Sequence, residues 1–388
     1  MRILSVTAQK PMFTGSGVYM TELMRAMGKL GAEQAVVAGI AAGEEMQLPD
    51  GVQAFPVYFE SEALPFPVCG MSDEMPYRST RYSDLTEEQK KLFLDAFYEA
   101  MHRAVSEFRP DLILCHHLYL LTAHVRKWFP EHRICGFCHG SDLRQFMKNE
   151  KWRDEISSGI RGLDRIFALH APHAEKIREL HLAGSDRKAE VIGSGYSDRW
   201  FFPRKTLVFT GKITEKKGIY SLLAALRQLP YSPRAFRLIL VGDYGSPRDE
   251  QEVGALLDGL PYEVSLPGRL GHGELSELFR ASDGFILPSF YEGMPLVVIE
   301  ACACGLPVIC TDLPGIREFA DENAPGHGIR FVEPPRFTGT DEPVPEDLPA
   351  FESRLACAIR EMFGPESGFG PDLSALTWEH LAARVMAD

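Results

Sequence analysis

The sequence predicts an α/β protein built from two Rossmann-like, doubly wound domains that face each other across a cleft. The chain has 388 residues, more than one hydrophobic core usually serves, so two domains are expected. Short apolar runs alternate with helical patterns along both halves, the order typical of a parallel sheet covered by helices. A glycine-containing turn also separates the first apolar run from the first helical pattern.

The first half carries the signals of one such domain. Its opening run, Arg2–Ala8, predicts a strand, and the glycine turn at 15–17 leads into a helical pattern. The next strand is expected at 34–40. Apolar residues at helical spacing predict a long helix over 85–108, and another strand follows at once. Prolines and a glycine interrupt the segment 64–80, which is therefore predicted to be a long loop.

The second half repeats this alternation. Its strands are predicted at the apolar runs TLVFTGKI, FRLILVGD, YEVSLPG, GFILPSF and LPVICTD. Helices are expected between and after these runs, at 220–229, 249–260, 274–281, 295–304 and 351–363. The stretch 332–349 contains too many prolines for the interior of an element and is expected to be a surface loop.

The domain boundary is expected near 197–203. This divides the chain into an N-terminal domain, 1–198, and a C-terminal domain, 199–375. The final segment, 376–388, has helical spacing and is expected to pack back on the N-terminal domain.

The overall charge limits the classes of partner. A net charge of −13 argues against nucleic acid, because phosphate neutralisation needs clustered Lys and Arg. No apolar run approaches the roughly 20 residues needed to cross a bilayer, although peripheral membrane contact stays open. The opening residues turn polar at Gln9 and Lys10 before a signal-peptide core develops, so a cytoplasmic protein with reduced cysteines is expected.

Two glutamates near the end of a predicted strand are the most informative chemical signal. Glu292 falls in the turn after the run GFILPSF, where open α/β sheets bind ligands. Glu300 falls on the next helix among apolar neighbours, so a half-buried carboxylate is expected there, suited to ribose hydroxyls or to a structural salt bridge. The amides of Gly293, Met294, Pro295 and Leu296, at the start of that helix, are suited to a pyrophosphate.

Glu292, seven intervening residues and Glu300, within the patterns EG-x-P and EA-x-A-x-G-x-PVI, resemble the family 4 retaining glycosyltransferases of the GT-B fold. Further matches follow in the expected order over most of the chain. They are the glycine turn at 15–17, HGSD at 139–142, GK-x4-KG at 211–218, VGD at 241–243, and LPGRLGHGELSELFRASDGFILPS before the glutamates. The resemblance implies a GT-B enzyme with its active site in the cleft between the domains.

The resemblance also implies roles in the second domain. Lys212 and Lys217, in the segment that starts at Gly211, would contact the donor diphosphate. One fixed ammonium on that leaving group is worth about 10² to 10³ in rate. The family more often has Arg where Lys212 stands, and a lysine keeps the charge there without the planar fork that bidentate contact needs. A solvated surface cation is the alternative for each lysine. Arg269 and Leu270 correspond to the segment that brackets the nucleobase.

In the first domain, the resemblance assigns His139 to the donor sugar near the reacting carbon, and a turn histidine satisfied by its neighbours is the alternative. Gly15, Ser16 and Gly17 would let the backbone approach the donor phosphate or the acceptor, because glycine has no Cβ to clash. Ser16 acting as the N-cap of the next helix is an equal alternative. Asp142 is expected to cap the following helix or to position His139.

The expected function is therefore transfer of a hexose or an N-acetylhexosamine from a UDP- or GDP-sugar to an acceptor hydroxyl, with retention. Neither a metal nor a cofactor is expected, because cation-binding carboxylate pairs are absent from the predicted cleft loops. CGFCH at 135–139 is interpreted as strand cysteines rather than a haem site. A nucleotide-sugar epimerase or a sugar phosphorylase is the alternative function. The acceptor stays open between a small molecule, such as malate, and a glycolipid or polysaccharide.

Overall fold

A computed structural model describes residues 1–365 and 371–387 of the chain. The chain divides into two compact units, one formed by Met1–Asp198 with Leu373–Asp388 and the other by Arg199–Asp372. Each unit is built on a parallel sheet, which confirms the predicted α/β class and its two doubly wound domains. No helix among the described residues is both long and apolar enough to cross a bilayer.

The first unit contains a seven-stranded sheet in the described part of the chain, with the order β3-β2-β1-β6-β7-β8-β9. All of its neighbouring strands are parallel, and Ile3 of the central first strand lies opposite both Gln34 and Leu112. The strands of this sheet are β1 (Arg2–Thr7), β2 (Glu33–Ala41), β3 (Gln53–Phe59), β6 (Leu112–His116), β7 (Ile134–Phe137), β8 (Arg165–Ala168) and β9 (Glu190–Val191). The unit also contains two short strands outside this sheet, β4 (Cys69–Gly70) and β5 (Thr80–Arg81).

Helices cover both faces of this sheet because successive strand residues point to opposite sides. Leu4 packs in one core cluster with Phe93 and Phe97 of the long second helix, whereas Ile3 packs in another cluster with Leu23 of the first helix. The helices are α1 (Gly15–Lys29), α2 (Glu87–Phe108), α3 (Leu120–Trp128), α4 (Ser141–Lys148), α5 (Arg153–Arg161) and α6 (Ala171–His181).

The segment 64–80 departs from the long loop that its prolines predict. It contains β4 and leads into β5, and these two short strands pair with each other. It also buries Leu64, Phe66, Val68 and Met71 in the core of the unit. The prolines do prevent long elements, but the apolar residues between them still gain from leaving water.

The second unit contains a six-stranded parallel sheet in the described residues, with the order β12-β11-β10-β13-β14-β15. The strands of this sheet are β10 (Lys205–Thr210), β11 (Phe236–Val241), β12 (Glu263–Gly268), β13 (Gly284–Leu287), β14 (Val308–Thr311) and β15 (Arg330–Val332). The unit also contains two short strands outside this sheet, β16 (Phe337–Thr338) and β17 (Glu342–Pro343). Its helices are α7 (Ile219–Leu226), α8 (Pro247–Leu257), α9 (His272–Arg280), α10 (Leu296–Ala303), α11 (Ile316–Asn323) and α12 (Leu348–Phe363).

The proline-rich stretch 332–349 is not a single surface loop. It contains the antiparallel hairpin of β16 and β17, and it ends inside α12, which begins at Leu348. Pro349 falls in the first turn of that helix, where a missing N–H costs nothing. The prediction of a surface loop was therefore wrong for the hairpin and for the start of α12.

The C-terminal helix α13 (Trp378–Met386) packs on α1 of the first unit. Trp378, Leu381 and Val385 are buried there, and the ring of Tyr19 meets the ring of Trp378 edge-on at 4.9 Å. Gly195 allows this packing, because a Cβ at that position would lie 2.5 Å from the indole. Residue 388, the last of the predicted helix, lies outside the described residues.

Candidate functional site

Each sheet has a point where the order of its strands reverses, beside β1 in the first unit and beside β10 in the second. In open α/β sheets, ligands bind beyond the carboxyl ends of the strands at such a point. Gly15 and His139 follow β1 and β7, while Lys212 and Glu292 follow β10 and β13. The topology therefore places these residues at the binding edges of their own sheets.

The loop after β10 owes its shape to two glycines and a threonine. Thr214 accepts a hydrogen bond from the backbone N–H of Lys217 at 3.3 Å and so begins a single 3-10 turn. Gly211 has a φ of 152° and Gly218 a φ of 71°, values that side chains rarely adopt. A Cβ on Gly218 would also lie 1.9 Å from the carbonyl oxygen of Pro288. The loop is thus held close to the end of β13.

Lys217 and Glu292 form the central ion pair of this edge. The Lys217 Nζ lies 2.6 Å from the Glu292 Oε1, and the Ser289 hydroxyl donates to the same oxygen at 2.7 Å. Only 13% of the Glu292 side chain is exposed. The Glu292 Oε2 forms no hydrogen bond with any residue that the structure describes. One carboxylate oxygen is therefore held in place by an ammonium and a hydroxyl group.

A cavity of about 470 Å³ adjoins this pair. Lys212 is exposed at its wall, and neither Lys212 nor Arg248 has a side-chain partner among the described residues. The cavity is lined by Lys212, Thr214, Glu215, Lys216, Lys217, Tyr220, Ser246, Arg248, Asp249, Tyr291 and Asp341. Two cations without a side-chain partner, Lys212 and Arg248, thus share a concave surface with the two paired lysines Lys216 and Lys217, an arrangement suited to an anion.

The segment 293–296 lies at the start of α10. Pro295 is the N-cap rather than the first helical residue, and Leu296 begins the helix. Gly293 and Leu296 are exposed, whereas Met294 and Pro295 line a separate apolar cavity of about 210 Å³ beside α11.

Glu300 departs from expectation. Its side chain is exposed rather than half-buried, does not line the larger cavity, and forms neither a hydrogen bond nor an ion pair with the described residues. The apolar neighbours suggested burial, but on α10 only Val298 and Ala301 are buried. The structural salt bridge considered as an alternative is also not formed.

Arg269 and Leu270 follow β12. Arg269 is exposed and lies 2.6 Å from the carboxylate of Asp243, while Leu270 is half-buried against the core of the unit. Asp243 is the acidic residue of the VGD motif, so this ion pair joins two of the segments that carry the sequence resemblance. Neither residue lines the larger cavity.

The glycines at 15–17 lie within the first turn of α1 rather than in a turn before it. Thr14 is the N-cap, and its hydroxyl accepts from the Gly17 N–H at 3.1 Å. The alternative that Ser16 caps the helix is therefore wrong. A Cβ on Gly17 would lie 2.8 Å from the backbone nitrogen of Met12, so the chain folds back tightly here. That close approach explains the need for glycine at this position.

His139 lies in a cluster of histidines at the ends of β6 and β7. Its Nε2 is 3.1 Å from the Nδ1 of His116, and Asp142 accepts from the backbone N–H of His139 at 3.4 Å. Burial lowers the pKa of His139 well below its usual value, and the charges of His117 and His116 would lower it further. Burial also lowers the pKa of His116 to about 3. The rings are therefore neutral at pH 7.

A second cavity, of about 430 Å³, brings together the residues predicted in the first unit. It is bounded by the start of α1, by the segment after β4 and by the turn after β7. Its lining consists of Gln9, Thr14, Gly15, Ser16, Tyr19, Met71, Ser72, Met75, His139, Ser141, Leu169 and Ser194.

Several residues that line the two cavities carry no strong sequence signal. Arg248 and Asp341 enter the larger cavity from the start of α8 and from the β16–β17 hairpin, and Met75 enters the other cavity from a segment predicted to be a loop. Among residues 1–365 and 371–387, no group of three His, Cys, Asp or Glu side chains could hold a metal ion. Cys135 and Cys138 are buried, and burial raises the pKa of both thiols.

Residues 204–337 match the family model of glycosyl transferases group 1. The resemblance found in the sequence is confirmed at this level.

Individual relatives are more distant. TuaC of Bacillus subtilis (strain 168), named as a teichuronic acid biosynthesis glycosyltransferase, is 34% identical over 113 residues, 29% of this chain and 26% of that protein. Glycogen synthase of Mycobacterium tuberculosis (strain CDC 1551 / Oshkosh) is 26% identical over 260 residues, 65% of this chain and 61% of that protein. The chain thus spans less than two thirds of either relative. Among solved structures, sucrose-phosphate synthase from Thermosynechococcus elongatus aligns with 99% of this chain and 97% of its own, at 19% identity and a TM-score of 0.42.

Proposed function

We propose that this protein is a retaining glycosyltransferase that moves a hexose or an N-acetylhexosamine from a UDP- or GDP-sugar to an acceptor hydroxyl. The observation that carries the proposal is the Lys217–Glu292 pair at 2.6 Å, beside a cavity that also presents the uncommitted Lys212. A cation for the leaving phosphate and a carboxylate for sugar hydroxyls are the two groups that such a donor needs.

In this proposal the second unit binds the donor. Lys212 and Lys217 contact the diphosphate, with the backbone of Gly211 and of 293–296 around it. The free Oε2 of Glu292 accepts from a sugar hydroxyl, and the exposed Glu300 accepts from the ribose. Arg269 and Leu270 border the base.

The transfer step needs no protein nucleophile. The bond from the anomeric carbon to the phosphate oxygen breaks, and a bond from the same carbon to the acceptor oxygen forms on the same face. The acceptor proton passes to the departing phosphate. Lys212 and Lys217 stabilise the negative charge that develops there, in place of a divalent cation. The first unit supplies the acceptor cavity, and His139 contacts a sugar as a neutral ring.

Nucleotide binding tests the proposal directly. UDP and GDP are titrated into the full-length protein in EDTA, and thermal unfolding is followed. One of the two should stabilise the protein by about 2.7 kcal/mol at 100 times its Kd. Glu300→Ala should lose most of this gain without a change in its own melting temperature, because the side chain is exposed and unpartnered. Glu252→Ala, an exposed glutamate on α8, is the matched control.

The same protein is then incubated with the sugar nucleotide of the base that binds. Nucleoside diphosphate should accumulate only when an acceptor is present. Conversion of the sugar without an acceptor would identify an epimerase, and a requirement for free phosphate would identify a phosphorylase. Either result, or stabilisation by neither nucleotide, would contradict the proposal.

A further inference from the structure

The cavity of the first unit is free of formal side-chain charge. None of its lining residues is Asp, Glu, Lys or Arg. Its polar atoms come from hydroxyl and amide groups, such as those of Gln9, Ser16 and Ser72, and an apolar wall comes from Met71 and Met75. The lining therefore offers neutral hydrogen-bonding groups beside a flexible apolar surface.

Three cations close in sequence to the lining residues are already paired. Lys10 is buried, with 7% of its side chain exposed, and its ammonium lies 2.5 Å from the carboxylate of Glu44. Arg144 and Lys148 both contact the carboxylate of Asp73, at 3.0 and 2.6 Å, and neither lines the cavity. An anionic group in the cavity would find no free cationic side chain among the described residues of its wall.

The start of α1 is the remaining positive feature at this wall. A helix start attracts anions through its free N–H groups. Here the Thr14 hydroxyl already accepts a hydrogen bond from the Gly17 N–H. The same hydroxyl lies 3.0 Å from the Ser16 hydroxyl. The Ser16 hydroxyl in turn donates to the side-chain amide oxygen of Gln9 at 3.3 Å. This network of hydroxyl and amide groups occupies part of the donor capacity that an anion would need.

We infer that the cavity of the first unit binds an uncharged, polyhydroxylated ring, so that the acceptor is a neutral sugar unit rather than a carboxylate or a phosphate ester. This inference rests on the proposed function. An unpaired carboxylate or phosphate against such a lining loses hydration without gaining a cationic partner, whereas sugar hydroxyls find hydrogen-bonding partners there. The Met71 and Met75 side chains suit the C–H face of a ring. A volume of about 430 Å³ accommodates such a ring.

Pairs of compounds that differ only in charge test the inference. Octyl β-glucoside is compared with octyl β-glucuronide, and myo-inositol with myo-inositol 1-phosphate, with malate added as a small dianion. Binding to the full-length protein, alone and saturated with UDP or GDP, is measured by calorimetry. At least one neutral compound should bind at least tenfold more tightly than its charged counterpart. Equal or tighter binding of the charged compounds, or binding of none, would overturn the inference.

A variant that introduces a charge tests whether the compounds bind in the cavity of the first unit. Ser194 is an exposed residue of the cavity wall, so Ser194→Lys should fold and should raise the affinity for octyl β-glucuronide about fivefold. Ser106→Lys, on the exposed face of α2, is the matched control and should change nothing. An equal gain in both variants would show that the compounds bind elsewhere. Selective binding of the neutral compounds without any sugar transfer would refute the proposed function, and with it the acceptor role, but not the binding of an uncharged ring in this cavity.

Discussion

The buried histidines of the first unit should make the protein unstable in mild acid. Burial lowers the pKa of His116 to about 3 and that of His181 to about 4, from an ordinary 6.5. Between these values and 6.5, the unfolded chain binds protons that the folded chain does not. Stability must therefore fall as the pH falls through that window.

The size of the effect follows from these values. Between pH 7 and pH 5, each of the two histidines should remove about 2 kcal/mol of unfolding free energy, or about 4 kcal/mol together. The pKa values of Asp73 and Glu155 are lowered by their hydrogen bonds to lysines, against the opposing effect of burial, so their stabilising contributions are lost only below pH 5.

Urea unfolding at pH 7 and pH 5, followed by tryptophan fluorescence, measures the loss. Trp128, Trp152 and Trp378 all lie in the first unit and report on it. The variant His181→Gln removes one titrating ring, so its loss between the two pH values should be smaller by about 2 kcal/mol. Any cost of the substitution itself appears at both pH values and cancels. Equal losses in the wild type and the variant would refute the reasoning.

Three further outcomes are expected. Lys217→Ala should lower kcat/KM for transfer, measured as nucleotide release, by about 10² to 10³. A loss of less than threefold would show that Lys217 is not at the leaving-group site. The control is Lys188→Ala, at an exposed lysine. Gly218→Ala should lower the unfolding free energy of the second unit by at least about 2 kcal/mol, because the positive φ of Gly218 and the Pro288 carbonyl oppose a Cβ. The control is Gly254→Ala on α8, where a Cβ meets open space, and this change should stabilise the unit slightly. Sugar transfer should proceed unchanged in EDTA, and recovery only on addition of Mg²⁺ or Mn²⁺ would contradict a cation-free diphosphate site.

The sequence by itself determined the α/β class, the two Rossmann-like domains and the resemblance to glycosyltransferases. These rest on local signals: apolar runs, helical spacing, and glycines and lysines at set distances along the chain. Each signal depends on a few neighbouring residues, so it can be recognised without the fold. The same locality explains why Glu292 was predicted to lie at the carboxyl end of a strand.

The tertiary structure alone decided which side chains meet and which stay exposed. Lys217 and Glu292 are 75 positions apart, and His116 and His139 are 23 apart; both contacts depend on neighbouring strands ending at one edge of a sheet. The burial of Glu300 was predicted wrongly, because exposure depends on what packs over a helix rather than on its own neighbours. For the same reason, the uncharged cavity of the first unit could not be predicted from the sequence. Its lining comes from five separate parts of the chain, and the charged side chains of those parts form ion pairs outside the cavity.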